Sequence, residues 1–107
     1  AVTMNNTVND YTEAEMATRI LSAQTAKKTA IRASCKARIL SVYPEWYQRD
    51  VTLGIYGSAI GDPMIAAIEA MMEESNSCED AVDAAETLTA IRAISPDWPI
   101  ADPNEVI

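Results

Sequence analysis

The stretch that decides the fold is S-V-Y-P-E-W-Y-Q-R-D, residues 41–50, which holds three of the six aromatic residues of this 107-residue chain. Proline has no N–H to donate and disfavours helical backbone in the residue before it, so a helix that arrives at Tyr43 ends there. The same proline suits the first turn of a following helix. The stretch therefore predicts a corner between two helices at Pro44.

The orientation of the rings at this corner follows from helix geometry. Trp46 and Tyr47 fall in the first turn of the second helix and point about 100° apart, so at most one can face fully inward. We expect Trp46 to be buried as a wedge between the first two helices and Tyr47 to lie at the rim. Replacing Trp46 by alanine is then expected to cost about 3–5 kcal/mol. If the rings instead form an exposed binding platform, the loss is below about 1 kcal/mol.

Upstream of the corner the sequence predicts one long helix. Residues 13–43 contain neither Gly nor Pro, and Thr12 with Glu15 has the spacing of a capping box. The middle of this segment, A-Q-T-A-K-K-T-A at residues 23–30, is poor in large apolar side chains. We expect the helix to curve there, to break, or to rely on partner chains for cover.

Downstream of the corner we expect two or three shorter helices. Gly61-Asp62-Pro63 predicts a break and a restart, with Asp62 as the N-cap. A Met-rich helix follows and ends at S-N-S, residues 75–77, where Asn76 or Ser77 caps a last helix that runs to Ile94.

The C-terminal residues predict an extended arm. Residues 96–107 contain three prolines and no helical period, so extended backbone is expected, with Trp98 and Ile100 as anchors. Packing on its own chain and docking on a partner both remain open for this arm. The fold class is all-α, a single domain over residues 1–107 of three to four helices, with an N-terminal extension at residues 1–11.

Charge is divided unevenly along the chain, whose net charge is −8. Residues 1–43 carry six basic and three acidic side chains, whereas residues 44–107 carry two basic and thirteen acidic ones. Lys28, Arg32 and Lys36 recur every four residues and so line one face of the first helix. The acidic excess downstream favours pairing of this stripe with acidic helices of the same or another copy over contact with phosphates. We expect no direct binding to nucleic acid.

No catalytic, metal or cofactor site is predicted. The chain has no His, which removes the commonest general base. Cys35 and Cys78 lack zinc-site spacing and are expected to be small buried thiols; a disulfide between them is not required. The carboxylate pairs fall at helix ends and on solvated faces. No apolar run approaches the roughly 18 residues of a membrane helix, and no signal-peptide pattern begins the sequence.

The run A-R-I-L-S-V-Y-P-E-W-Y-Q-R-D, residues 37–50, resembles a helix–proline–helix corner in small proteins and C-terminal segments of tailed-phage tails. L-T-A-I-R-A-I-S, residues 88–95, is similar to the closing helix of those segments. The three Gly residues and the Met-rich helix depart from that pattern. The resemblance implies a virion-associated structural or assembly role. The matching corner positions are Arg38, Ile39, Tyr43, Pro44, Trp46 and Gln48.

We therefore hypothesise a non-enzymatic structural component of a phage-like virion, in the tail or on the capsid, assembled in the host cytoplasm. It would form homo-oligomers or dock on a larger virion protein, without membrane contact. The alternatives are an acidic regulator or inhibitor of a basic nucleic-acid-binding partner, and a phage assembly chaperone. The methionines also suit a buried core by their helical spacing. The candidate interface residues are Lys28, Arg32, Lys36, Trp46, Met71, Met72, Trp98 and Ile100.

Overall fold

The computed structural model describes residues 12–100. The predicted all-α class with a long N-terminal helix is confirmed, and no strand occurs within those residues. The predictions for residues 1–11 and 101–107 lie outside the described part of the chain. The helices are α1 (Glu13–Val42), α2 (Glu45–Thr52), α3 (Ser58–Ala84) and α4 (Leu88–Ala93).

Helix α1 begins at the predicted capping box. The Thr12 N–H donates to Glu15 Oε1 at 2.9 Å, and the Glu15 N–H donates to Thr12 Oγ1 at 3.1 Å. The helix then continues without a break through the Ala- and Lys-rich middle at residues 23–30, so the predicted alternative of an interruption there is wrong. Across this middle α1 meets the C-terminal end of α3 through Gln24, which donates to the Val82 and Ala85 carbonyls, and through Lys28, which pairs with Asp83.

The corner forms at Pro44, but the second helix is shorter than its sequence suggests. Pro44 is the N-cap of α2 rather than its first helical residue. Gly54 ends the helix with a φ of 77°, a left-handed conformation that favours glycine. Its N–H donates to the Val51 carbonyl at 3.0 Å, and the Ile55 N–H donates to the Asp50 carbonyl at 3.0 Å. This is the Schellman pattern of a helix C-terminus.

Helix α3 passes through both positions where the sequence predicts a break. Pro63 is the sixth residue of the helix, one turn past the position where proline is tolerated, and it cannot donate to the Ala59 carbonyl. The helix nevertheless continues through it, so Asp62 is not an N-cap. Residues 75–77 are helical too: Ser75 is buried, and its hydroxyl donates to Glu79 Oε2 at 3.0 Å. The modest helix propensity of Ser and Asn costs about 0.5 kcal/mol per residue, which packing in the hairpin outweighs.

The last predicted helix is divided into the end of α3 and the short α4. Gln24 of α1 reaches the C-terminus of α3, where its Nε2 donates to the carbonyls of Val82 at 3.1 Å and Ala85 at 3.2 Å. Thr87, rather than Asn76 or Ser77, then caps α4 by accepting from the Ala90 N–H at 3.0 Å. The Gln24 amide thus satisfies carbonyls that every helix C-terminus leaves without an intrahelical donor.

Helices α1 and α3 form an antiparallel hairpin, against which α4 and the residues after it pack. Its core cluster is Ile31, Cys78 and Val82, with Ile94 and Trp98 packed on it. The radius of gyration is 19.6 Å, against about 13 Å for a compact chain of this length. A long hairpin of this kind has two faces, and the site depends on how differently they are covered.

Candidate docking groove

One face of the hairpin, here the covered face, lies under α4 and under the strap, residues 95–100. Trp98 of the strap packs on the core cluster. The Ile100 N–H donates to Met71 Sδ at 3.4 Å, and the Ile100 carbonyl accepts from Arg38 Nη1 at 3.1 Å. Through residue 100, the C-terminal arm is therefore bound to its own chain rather than free to reach a partner.

Glu74 fastens the strap to α3. Its Oε2 accepts from the Asp97 N–H at 2.9 Å and from Cys78 Sγ at 3.3 Å. Burial, together with the hydrogen bond and charge of Glu74, raises the pKa of Cys78 to about 11. Burial and the charge of Glu79 also raise the pKa of Cys35. Both are buried free thiols, as the sequence predicts, and because the thiolate is the reactive form they are poor nucleophiles at neutral pH.

The opposite face, here the open face, carries a groove between α1 and α3 with a volume of about 490 Å³. Neither α4 nor the strap contributes to its walls. Glu45 and Gln48 of α2 close one end. The side chains along the groove are Arg32, Cys35, Lys36, Ile39, Leu40, Ile68, Met72, Ser75, Asn76 and Glu79.

The α3 side of the groove carries Ile68 and Met72 together with Ser75, Asn76 and Glu79, and exposed apolar side chains lie at and beside it. Met72 is 54% exposed and Ile65, two turns before it on the same face of α3, is 47% exposed. Met71, the preceding residue, is 0% exposed beneath the strap. Contiguous exposed apolar side chains on a small protein are typical of an interaction surface.

Ion pairs between α1 and α3 run along the rim of the groove. Lys28 Nζ lies 2.8 Å from Asp83 Oδ1, and Arg32 Nη2 lies 2.6 Å from Glu79 Oε1. Four residues further along α1, Lys36 comes level with Ser75, which carries no charge. Within residues 12–100, no carboxylate forms an ion pair with Lys36. The predicted basic stripe thus pairs with acids of its own chain at two positions and leaves Lys36 for another ligand.

The aromatic residues of the corner are arranged differently from the prediction. Trp46 is 52% exposed, so the expectation that it is a buried wedge is wrong. Tyr47 is the central ring instead, with its centroid 6.0 Å from Tyr43, 5.7 Å from Trp46 and 5.3 Å from Tyr56. The first turn of α2 is rotated so that Tyr47 faces the neighbouring rings and Trp46 faces solvent.

The predicted interface residues separate into three groups. Lys28, Arg32, Lys36 and Met72 lie at the groove or its rim. Met71, Trp98 and Ile100 lie on the covered face, where other parts of the chain contact them. The prediction that Met71 is available at an interface is wrong, because the strap covers its side chain. Trp46 stands apart on α2.

Three apolar residues of the groove were not among the predicted interface residues: Ile39, Leu40 and Ile68. Ile39 and Leu40 lie in α1, and Ile68 lies in α3. Which of those positions remain uncovered depends on the path of α4 and the strap, and no local sequence signal specifies that path.

Comparison with models of known protein families, with curated proteins and with solved structures finds no match. No helix within residues 12–100 combines the length and the apolar character needed to cross a bilayer. In the same residues, no three His, Cys, Asp or Glu side chains are grouped so that they could hold a metal ion. The groove combines the exposed Met72 with charged side chains along its rim, a combination that suits contact with a protein surface.

Proposed function

We propose that this chain is a non-catalytic structural protein that assembles by docking its open groove on a helical protein surface. The main observation behind this proposal is that the two faces of the hairpin differ: α4 and the strap cover one face, and the groove of about 490 Å³ occupies the other. An amphipathic helix that places apolar side chains into such a groove uses a common mode of protein recognition.

The proposed setting is a phage-like virion, in the tail or on the capsid, with copies of the chain or a larger virion protein as partners. The support is the resemblance of residues 37–50 to corners in tail proteins, together with an elongated shape of the chain that suits repeated packing of copies. The extents of 71 × 30 × 19 Å describe an elongated part that offers long lateral surfaces.

An acidic regulator that mimics nucleic acid has less support. It needs a long row of free carboxylates on one face. Exposed Glu69, Glu73 and Asp80 of α3 offer three, but Asp83 and Glu79 are paired with Lys28 and Arg32. Glu74 is engaged with the strap. An assembly chaperone uses the same groove, and differs in leaving before the particle is finished.

Mass spectrometry of purified particles, after complementation with chain variants, tests this proposal. We expect the wild-type chain in finished particles, loss of Met72→Glu, and retention of the control Leu53→Glu, which alters an exposed apolar residue outside the groove. A chain found on assembly intermediates but absent from finished particles would indicate the chaperone. Equal incorporation of Met72→Glu would exclude the groove as the docking surface.

A further inference from the structure

We infer that the occupant of the groove is the open face of a second copy, related by a two-fold axis parallel to α1, so that the two hairpins form a four-helix bundle. This inference rests on the proposed function, because it names the partner of the same groove. Three properties of the open face support it: its charge pattern, the position of Lys36 and its size.

The charges select the direction of the axis. The α1 rim of the open face is basic, with Arg32 and Lys36. The outer edge of α3 is acidic: Glu69, Glu73 and Asp80 are exposed and recur at spacings of four and seven residues, which places them on one side of the helix. A two-fold axis parallel to the helices places α1 of each copy against α3 of the other. The basic rim of one copy then faces the acidic edge of the other. An axis across the helices sets α1 on α1 and α3 on α3, with like charges opposed.

The parallel axis also supplies a ligand for Lys36. Such an axis keeps every residue at the same height along the bundle. Lys36, which is level with Ser75 of its own chain, is therefore level with Ser75 of the second copy. Glu73 of the second copy is then only about 3 Å higher along its helix, at 1.5 Å per residue. The two copies form this Lys36–Glu73 pair twice, once on each side of the axis.

The size of the face fits a dimer of modest affinity. The ion pairs Lys28–Asp83 and Arg32–Glu79 set the end of α1 level with Glu69, so α1 and α3 lie side by side over about 16 residues, which is about 24 Å long and about 20 Å wide. The product, roughly 500 Å² per copy, is at the low end of specific protein–protein interfaces. The exposed side chains of Ile65 and Met72, with Ile39 and Ile68 beside them, then lie in the centre of a bundle.

The test is a pair of charge swaps, Lys36→Glu and Glu73→Lys, in the full chain, with the dimer dissociation constant measured by sedimentation equilibrium. Each swap alone sets like charges opposite each other twice, so we expect each to weaken dimerisation by at least about tenfold. An equimolar mixture of the two variants restores both pairs in a heterodimer and is expected to recover wild-type affinity. Arg92→Glu, the same charge change on exposed α4, is the control, and circular dichroism checks folding.

Rescue by mixing is the decisive result, because a pair formed within one chain cannot be restored by mixing. The inference is overturned if the wild type stays monomeric at millimolar concentration, if neither swap weakens the dimer, or if the mixture fails to recover. A monomeric wild type overturns only the second copy as occupant, and incorporation of the chain into particles still tests the proposed function. Undiminished incorporation of Met72→Glu overturns the groove itself.

Discussion

The two faces of the hairpin carry similar apolar side chains in opposite surroundings. On the covered face, Met71 is fully buried, and Glu74 and Arg38 bind the backbone of the strap. On the open face, the next residue, Met72, is more than half exposed, and Lys36 has no carboxylate partner within residues 12–100. A two-layer helical architecture buries its apolar stripes between layers. The chain supplies the second layer for one face only, and a partner is expected to supply it for the other.

The largest expected effect comes from two adjacent methionines on the two faces. Met71→Ala leaves a cavity under the strap and is expected to lower the free energy of unfolding by about 2–5 kcal/mol. Met72→Ala removes a side chain that solvent already reaches, and we expect a loss below about 0.5 kcal/mol. Urea denaturation measures both, at a concentration low enough that light scattering finds single chains. If the two variants lost the same free energy of unfolding, the two faces would not differ in burial as described.

The two tryptophans extend the same comparison. Trp98→Ala removes the ring that packs on Ile31, Cys78 and Val82, and a loss of about 2–3 kcal/mol is expected for this half-buried side chain. Trp46→Ala is expected to cost about 1 kcal/mol or less, because its ring is half exposed. The measurement is again urea denaturation. If Trp46→Ala lowered the free energy of unfolding more than Trp98→Ala, Trp46 would be buried at the corner after all.

The covered face also predicts a dependence of stability on alkaline pH. The pKa of Cys78 is about 11 in the folded chain, above its ordinary value of 9.0. The folded state therefore retains a proton that the unfolded state loses, and the stability that this contributes below pH 9 is lost as the pH rises through 11. We expect the melting temperature of the wild type to fall more steeply between pH 9 and 11 than that of Cys78→Ala. Parallel curves would mean that the thiol titrates normally.

The smallest expected effect is at the groove rim. Arg32→Ala breaks the pair with Glu79 and is expected to cost the single chain about 0.5 kcal/mol, because the Arg32 side chain is mostly exposed although that of Glu79 is only 14% exposed. Lys36→Ala breaks no ion pair in the described chain, and no measurable loss is expected at the same low concentration. Thermal melts with and without added salt separate the two. A loss at Lys36 as large as that at Arg32 would indicate a partner for Lys36 within its own chain.

The sequence predicts those parts of the fold that local chemistry decides. Thr12, Glu15 and Pro44 specify the bounds of α1 by themselves. Ser75 misled because packing in the hairpin outweighs its weak preference against helix. Pro63 misled because α3 begins five residues before it and continues through it, although an interior proline costs about 3 kcal/mol. At the corner, periodicity separates Trp46 from Tyr47, but the rotation of α2 decides which ring is covered.

The groove was only partly predictable for the same reason. The spacing of Lys28, Arg32 and Lys36 places them on one face of α1, and the acidic excess downstream predicts their pairing, which the structure has at Asp83 and Glu79. The choice between Met71 and Met72 as the exposed methionine is a tertiary property. It follows from the strap, which crosses α3 on the side of Met71.

The central claim, that the open face of one copy docks on the open face of a second, is tested most directly by light scattering on the eluting wild type, Met72→Glu and the control Leu53→Glu, loaded at up to millimolar concentration. We predict that the wild type and Leu53→Glu elute with twice the chain mass of 11.6 kDa, and that Met72→Glu elutes folded with the mass of one chain. A wild type that remains a single chain at every concentration, or a Met72→Glu variant that dimerises like the wild type, would contradict this account.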